Sequence, residues 1–176
     1  MTNKKKRSQK QEKSIAKAFN AKTVVASGAK WGAKGDVRND KFLIECKTTQ
    51  EDHYRVTSKV WEKIQEEATR DHIRIPLLIV DLQDKERYVV FRPTDFEKGL
   101  PKPYTCEGNI DTILKSYRIK PKSYRIKSGD LKESEDILGE YIYGHLFIIC
   151  GKRRNMLFYM REKDFQETFK EELNWD

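Results

Sequence analysis

Residues 35–47 constrain the possible folds of this chain more than any other stretch. The apolar residue Val37 and the apolar run 42–44 flank a polar trio, Arg-Asn-Asp, at positions 38–40. Because Asn and Asp tolerate the backbone of a tight turn and apolar residues suit strands, this pattern predicts a β-hairpin. The hairpin is therefore the expected centre around which the rest of the sheet is built.

The second strand of this hairpin carries a charged face. Side chains alternate between the two faces of a strand, so Glu45 and Lys47 share one face and Cys46 lies on the other. The hairpin brings Asp36 back beside Glu45. Two carboxylates and a lysine at one edge of a sheet can hold Mg²⁺ and activate water against a phosphodiester. The alternative is a surface ion pair between Glu45 and Lys47, which would contribute little to stability.

The spacing of these residues also resembles a known family. Gly35-Asp36, followed by Glu45-x-Lys47 nine residues after the aspartate, is similar to the motif of the PD-(D/E)xK nuclease superfamily. Ser27-Gly28 ahead of the motif and Glu12 in a basic N-terminal segment resemble the archaeal and phage Holliday-junction resolvases. The resemblance covers roughly residues 5 to 92. It implies a restriction-endonuclease-like α/β fold, in which a mixed β-sheet is flanked by helices.

The resemblance also implies roles for individual residues. Asp36, Glu45 and the backbone carbonyl of Cys46 would hold Mg²⁺, for which Mn²⁺ would substitute. Lys47 would orient a water molecule or stabilise the charge that develops on the phosphate. Glu12 would act as an auxiliary carboxylate, although a solvated helix residue is an equal alternative.

The loop between the first strand and the hairpin contains three glycines and two lysines over residues 28–35. Glycine allows a backbone to approach a phosphate closely, so this loop is a candidate phosphate contact. The resemblance places Ser27 near the scissile phosphate. The alternative is a flexible connection without a function in catalysis.

Composition indicates the class of partner. The chain has 176 residues, of which 36% are charged, and a net charge of +8. This excess of basic residues favours a polyanion such as nucleic acid, although a ribosome-associated or membrane-surface protein would look similar. Neither a membrane span nor a signal peptide is expected, and three widely spaced cysteines suggest reduced thiols in a cytoplasmic protein.

We expect one domain over residues 1–176, with three parts. Residues 1–10 are predicted to be a basic flexible arm, residues 11–96 a nuclease core, and residues 97–176 a β-rich and helical extension. The predicted order in the core is a helix (8–20), three strands, a helix (57–71) and two strands (76–80 and 87–91). In the extension, residues 146–165 repeat the pattern of residues 77–96, which indicates a second hairpin followed by a helix over 162–173.

A basic segment at residues 115–127 contains the hexamer Lys-Ser-Tyr-Arg-Ile-Lys twice in tandem. Strand alternation would place Tyr and Ile on one face and Ser, Arg and Lys on the other. The basic residues can neutralise phosphates, and the tyrosines can stack on unpaired bases. The alternative is a solvated basic edge strand. The predicted DNA-binding residues are Lys5, Arg7, Lys30, Lys34, Lys115, Arg118, Lys120, Lys122, Arg125 and Lys127.

The sequence therefore suggests a Mg²⁺-dependent DNA endonuclease. The resemblance implies a phage-type resolvase that acts as a homodimer on branched or four-way-junction DNA in the host cytoplasm. Two alternatives remain open. One is a restriction-like or flap and linear-duplex nuclease of the same fold, and the other is a DNA-binding protein without catalytic activity.

Overall fold

A computed structural model of the protein describes residues 3–24, 35–70, 73–96, 104–106, 122–129, 131 and 142–173. The helices are α1 (Asn3–Ala18), α2 (Ser58–Arg70), α3 (Glu162–Thr168) and α4 (Lys170–Leu173), with a 3₁₀ turn at Pro93–Asp95. The strands are β1 (Lys22–Thr23), β2 (Val37–Arg38), β3 (Phe42–Thr49), β4 (His53–Thr57), β5 (Ile75–Leu82), β6 (Glu86–Phe91), β7 (Tyr104–Cys106), β8 (Ser123–Lys127), β9 (Ile142–Cys150) and β10 (Arg154–Arg161).

Within the described residues, eight strands form one mixed sheet in the order β1-β2-β3-β5-β6-β10-β9-β7. Strand β3 runs parallel to β5 and β7 runs parallel to β9, whereas the other neighbouring pairs are antiparallel. Strands β4 and β8 form a separate antiparallel pair, which we call the β4–β8 ribbon. The predicted α/β class, with a mixed sheet flanked by helices, is confirmed.

One face of the large sheet is covered by α1 and the two C-terminal helices. Its core is aromatic: Phe165 contacts Phe19, which directly follows α1, and Phe91 of β6, with ring centroids 6.0 and 5.1 Å apart. Phe96 and Phe169 complete the cluster at 4.4 Å from each other. Such pairs stabilise a core beyond the area that they bury. The N-terminal and C-terminal parts of the described chain therefore share one core.

The opposite face is covered by α2 and the β4–β8 ribbon. Helix α2 buries Trp61, Ile64 and Ala68 against this face. Thr57 caps the helix, since its Oγ1 accepts a hydrogen bond of 3.2 Å from the Val60 amide. Strand β5 contributes to both cores, which explains its almost uninterrupted apolar sequence.

Several predicted elements are confirmed with small changes of length. The β2–β3 hairpin forms, and its turn is fixed by Asn39, whose Oδ1 accepts hydrogen bonds from the amides of Lys41 and Phe42. The second hairpin, β9–β10, forms and leads into α3 as the repeated pattern predicted. The final helix is divided at Phe169, which adopts a non-helical backbone between α3 and α4. The sequence predicts that Phe165, Phe169 and Leu173 of this helix face inward; Phe165 and Phe169 are buried and Leu173 is partly buried.

Three elements differ from the predictions. Residues 3–10, expected as a flexible arm, belong to α1, where Arg7 lies 3.7 Å from the Asp84 carboxylate and Gln11 is buried. These contacts offset the weak helical signal of a lysine-rich stretch. Strand β4 was missed because its polar residues resembled a loop. The first of the three strands is predicted by the sequence over residues 23–26. In the structure it starts at Lys22, and residues 25 and 26 lie outside the described part of the chain.

A buried ion network ties the sheet to its helices. Arg87 of β6 donates to both carboxylate oxygens of Asp81 on β5, at 2.6 and 3.1 Å. It also donates to Glu162 of α3 at 3.0 Å and to Ser14 of α1 at 3.3 Å. The three charged side chains are between 11% and 21% exposed. One guanidinium therefore holds four elements together.

A second polar contact joins β6 to the turn that follows β8. Glu86 Oε2 accepts hydrogen bonds of 3.0 Å from the Tyr88 hydroxyl and from the Gly129 amide. Burial alone would raise its pKa, but hydrogen bonds from Ser128, Tyr88 and Gly129 lower the pKa of Glu86 below its ordinary value of 4.5.

This contact predicts a pH-dependent stability. A carboxylate whose folded pKa is depressed contributes stability above its unfolded pKa, and that stability is lost as the pH falls through the folded pKa. Wild type should therefore be more stable than Glu86→Gln at neutral pH, and the difference should disappear below about pH 4. Urea unfolding of both proteins at several pH values measures this difference in stability. The same difference at every pH would contradict the assigned contact.

No helix in the described part of the chain is long and apolar enough to cross a membrane.

Candidate active site

Strand β3 places Glu45 and Lys47 side by side on the face of the sheet that α2 and the ribbon cover. Lys47 Nζ donates to Glu45 Oε1 at 2.5 Å. Glu45 is buried to 8% exposure, whereas the Lys47 side chain is 34% exposed. The carboxylate therefore lies inside the fold, and the ammonium lies between it and solvent.

Asp36 is held against the same part of β3. Its Oδ2 accepts a 2.8 Å hydrogen bond from the Cys46 amide, and its own amide donates to the Ile44 carbonyl at 3.0 Å. The preceding residue, Gly35, has a φ of +71°, and a Cβ there would lie 2.9 Å from Leu43 Cγ. Both the backbone conformation and the close contact require glycine at this position. The Gly-Asp pair thus positions the carboxylate beside Glu45.

Helix α1 contributes a third carboxylate. Glu12 Oε1 accepts a 3.0 Å hydrogen bond from Ser8, and the neighbouring Gln11 donates through Nε2 to the Lys47 carbonyl at 2.8 Å. The second contact ties α1 directly to the strand that bears Glu45. Gln11 is 4% exposed, and its buried Oε1 has no hydrogen-bond partner within the part of the chain that the structure describes.

The three carboxylates interact electrostatically. Burial raises the pKa of Glu12, the negative charges of Asp36 and Glu45 raise it further, and the Ser8 hydrogen bond opposes both effects. Burial alone would lower the pKa of Lys47, but the hydrogen bond and charge of Glu45 and the charge of Asp36 raise it. The folded chain therefore concentrates negative charge here and keeps Lys47 protonated.

The donors present suit Mg²⁺. Asp36 and Glu45 offer hard oxygen ligands. Gln11 offers a further oxygen, since its Nε2 donates to the Lys47 carbonyl while its Oε1 has no hydrogen-bond partner among the described residues. Among the described residues, no three His, Cys, Asp or Glu side chains form a metal-holding group on their own. Mg²⁺ normally takes only one or two carboxylates and completes its shell with water and substrate phosphate. Mutual repulsion among the carboxylates also favours a cation here.

The structure describes only some of the remaining predicted site residues. Lys5 is exposed, whereas Arg7 is engaged with Asp84. Lys122, Arg125 and Lys127 lie next to or within β8. The other predicted residues lie outside the described part of the chain: Ser27, Lys30, Lys34, Lys115, Arg118 and Lys120.

Sequence reasoning missed Gln11 and Tyr54, which lie near the site, and the strand to which Tyr54 belongs. Gln11 lies four residues before the buried Ile15, so the helical period could have placed it on the buried stripe of α1. Tyr54 and Arg55 belong to β4, which was not predicted. The alternation of Tyr54 and Val56 with polar residues was the available signal.

Comparisons of the sequence with models of known protein families and with curated proteins found no match to this chain.

Proposed function

We propose that this protein is a Mg²⁺-dependent DNA endonuclease with a restriction-endonuclease-like fold. One observation carries the proposal: Asp36 accepts a hydrogen bond from the residue next to Glu45, so the two carboxylates and Lys47 converge on β3. The order of α1, the β2–β3 hairpin, α2 and the parallel strand β5 supports the nuclease-like fold. The resemblance of this motif to the PD-(D/E)xK superfamily gives the arrangement its proposed chemistry.

Each side chain has a distinct task in this proposal. Asp36 and Glu45, with the carbonyl of Cys46, would hold the metal ion. Mg²⁺, or Mn²⁺ in its place, supplies polarisation of the scissile phosphate and activation of water. Lys47 is protonated at neutral pH and would donate a hydrogen bond to the attacking water or to the phosphate as charge develops. Glu12 would accept a proton or a hydrogen bond at the edge of the site.

For the substrate, we propose branched DNA, with the four-way junction as the preferred form. The net charge of +8 favours a polyanion, and the resemblance to phage and archaeal resolvases favours junctions. A homodimer would supply the two active sites that paired nicks across a junction need. A phage-encoded enzyme of this kind would act in the host cytoplasm.

Cleavage assays with a panel of labelled DNAs test the proposal. The panel compares a four-way junction with linear duplex, a flap and a single strand, in Mg²⁺ and in EDTA, with Asp36→Asn as the control for contaminating nuclease. We expect paired symmetric nicks in the junction, dependent on Mg²⁺ and absent in EDTA. Equal cleavage of all the DNAs would retain the nuclease site and reject the resolvase assignment.

The main alternative is a DNA-binding protein without catalytic activity. The 2.5 Å contact between Lys47 and Glu45 favours it, since this contact is also what a simple ion pair would form. DNA binding without cleavage in Mg²⁺ and in Mn²⁺ would support this alternative and overturn the nuclease.

A further inference from the structure

The β4–β8 ribbon has two chemically different faces. Its inner face is fixed to the core by Val56 and Ile126, which are fully buried. Tyr124 also faces inward and stacks on Phe147, with ring centroids 4.3 Å apart. The ribbon is therefore a folded part of the domain.

Backbone contacts also close both ends of the ribbon. The Ser58 amide, at the start of α2, donates to the Lys122 carbonyl at 2.9 Å. At the other end, the Ser128 amide donates to the Asp52 carbonyl at 2.7 Å. A pair of strands held at both ends and along one face presents its outer side chains in fixed positions.

The outer face is basic. Arg55 and Arg125 are directly opposite each other in the strand register, and both are exposed. Like charges at directly opposite positions destabilise a strand pair, so folding does not explain this arrangement. Within the described residues neither arginine forms an ion pair; Arg55 donates instead to the Ser123 hydroxyl at 3.3 Å. Lys127 adds a third cation to this face, although its Nζ lies 3.9 Å from Asp52.

The ribbon also adjoins the candidate active site. Strand β4 begins four residues after β3 ends, and its Tyr54 lies within the electrostatic influence of Lys47 and Glu45. Burial raises the pKa of Tyr54, Lys47 acts to lower it and Glu45 acts to raise it. The inner face of the ribbon therefore lies on the same side of the sheet as Glu45 and Lys47.

We propose that the β4–β8 ribbon binds the phosphate backbone of double-stranded DNA, with Arg55 and Arg125 acting together as its main contacts. Guanidinium groups bind phosphate oxygens in a bidentate manner, and a two-stranded ribbon has dimensions that a DNA groove admits. Tyr54 and Tyr124 are partly buried on the inner face, which leaves them poorly placed to stack on unpaired bases. The ribbon therefore favours a duplex arm over a single strand. This inference deepens the proposed nuclease function and rests on it, because the ribbon contributes to cleavage only if the carboxylates on β3 are an active site.

Binding measurements without cleavage test the ribbon separately from the nuclease. The Arg55→Gln/Arg125→Gln double variant is compared with wild type by fluorescence anisotropy of a labelled duplex in EDTA, over a range of salt concentrations. We expect its duplex affinity to fall by about tenfold or more and its log–log salt slope to decrease by about 2. Its thermal stability should be unchanged or increased, since a repulsive pair has been removed.

A variant with the same change in net charge is the control. Lys17→Gln/Lys170→Gln removes two exposed cations from α1 and α4, which cover the opposite face of the sheet. Equal losses of duplex affinity in the two double variants would overturn the proposal, because they would reflect net charge alone. A larger loss for single-stranded DNA or for RNA than for duplex DNA would also overturn it. Loss of binding in the ribbon variant of a protein that never cleaves DNA would uphold the ribbon and reject only the nuclease.

Discussion

Replacing Asp36 by Asn is expected to lower the rate of DNA cleavage by about 100- to 1,000-fold while leaving the fold intact. Asparagine has the same shape, and its Oδ1 can still accept the hydrogen bond from the Cys46 amide. The change removes one negative charge from a site where Asp36 and Glu45 both act on Glu12. Catalysis by the proposed metal site should therefore fall, because the site loses the negative charge of one carboxylate. Stability should stay within about 0.5 kcal/mol of wild type or rise, because repulsion is relieved.

Asp40→Asn is the matched control for this variant. Asp40 lies in the turn of the same hairpin, four residues away, and is exposed. The same chemical change at this position should leave both cleavage and stability close to wild type. Thermal unfolding gives a readout besides activity: Mg²⁺ should raise the Tm of wild type and of Asp40→Asn, but much less that of Asp36→Asn. Full cleavage by Asp36→Asn would show that this carboxylate has no part in the chemistry.

The second large effect is expected at Arg87. The Arg87→Met variant should lose about 3 kcal/mol of unfolding free energy, equivalent to a fall in Tm of roughly 6 to 12 °C. Methionine preserves the length of the side chain but leaves Asp81 and Glu162 without their shared cation, at side-chain exposures of 11% and 18%. Urea unfolding at neutral pH measures the change.

Two further variants serve as controls for the effect of Arg87→Met on stability. Lys152→Met removes an ion pair with Glu66 in which the lysine is 78% exposed, and it should cost no more than about 0.5 kcal/mol. The triple variant Asp81→Leu/Arg87→Met/Glu162→Leu should recover much of the lost stability, because no uncompensated charge stays buried. If Arg87→Met behaved like Lys152→Met, the network would contribute no more than a solvated surface pair.

Local patterns in the sequence were sufficient to predict much of the sheet. The β2–β3 hairpin, α2, the β5–β6 hairpin and the β9–β10 hairpin each have a complete signal: a turn residue, a cap or an apolar run. The first two turns of α1 and strand β4 lack such signals. Their conformation depends on contacts with residues that are distant in sequence, such as the contact between Arg7 and Asp84. Propensity is a weak prior wherever such tertiary contacts decide the conformation.

The candidate site could be predicted in part for a similar reason. Asp36, Glu45 and Lys47 lie on one hairpin, so the period of two residues along a strand indicates that they converge. Gln11 and Arg55 belong to elements that approach the site only in the folded chain. Their positions depend on how α1 packs on β3 and on the pairing of β4 with β8, a strand about 70 residues later in the chain. A single sequence contains no direct signal for such long-range pairing.

The shared aromatic core has a consequence for when the carboxylate cluster forms during synthesis. Helix α1 carries Glu12 and Gln11, and Phe19, which directly follows this helix, packs against Phe165 of α3, near the other end of the described chain. A ribosome translates Phe19 well over a hundred residues before Phe165, its packing partner. The carboxylate cluster is therefore completed late, after Arg55 and Arg125 of the β4–β8 ribbon have already been translated. A nascent chain that contacts DNA or RNA at that stage would do so before the carboxylate cluster is assembled.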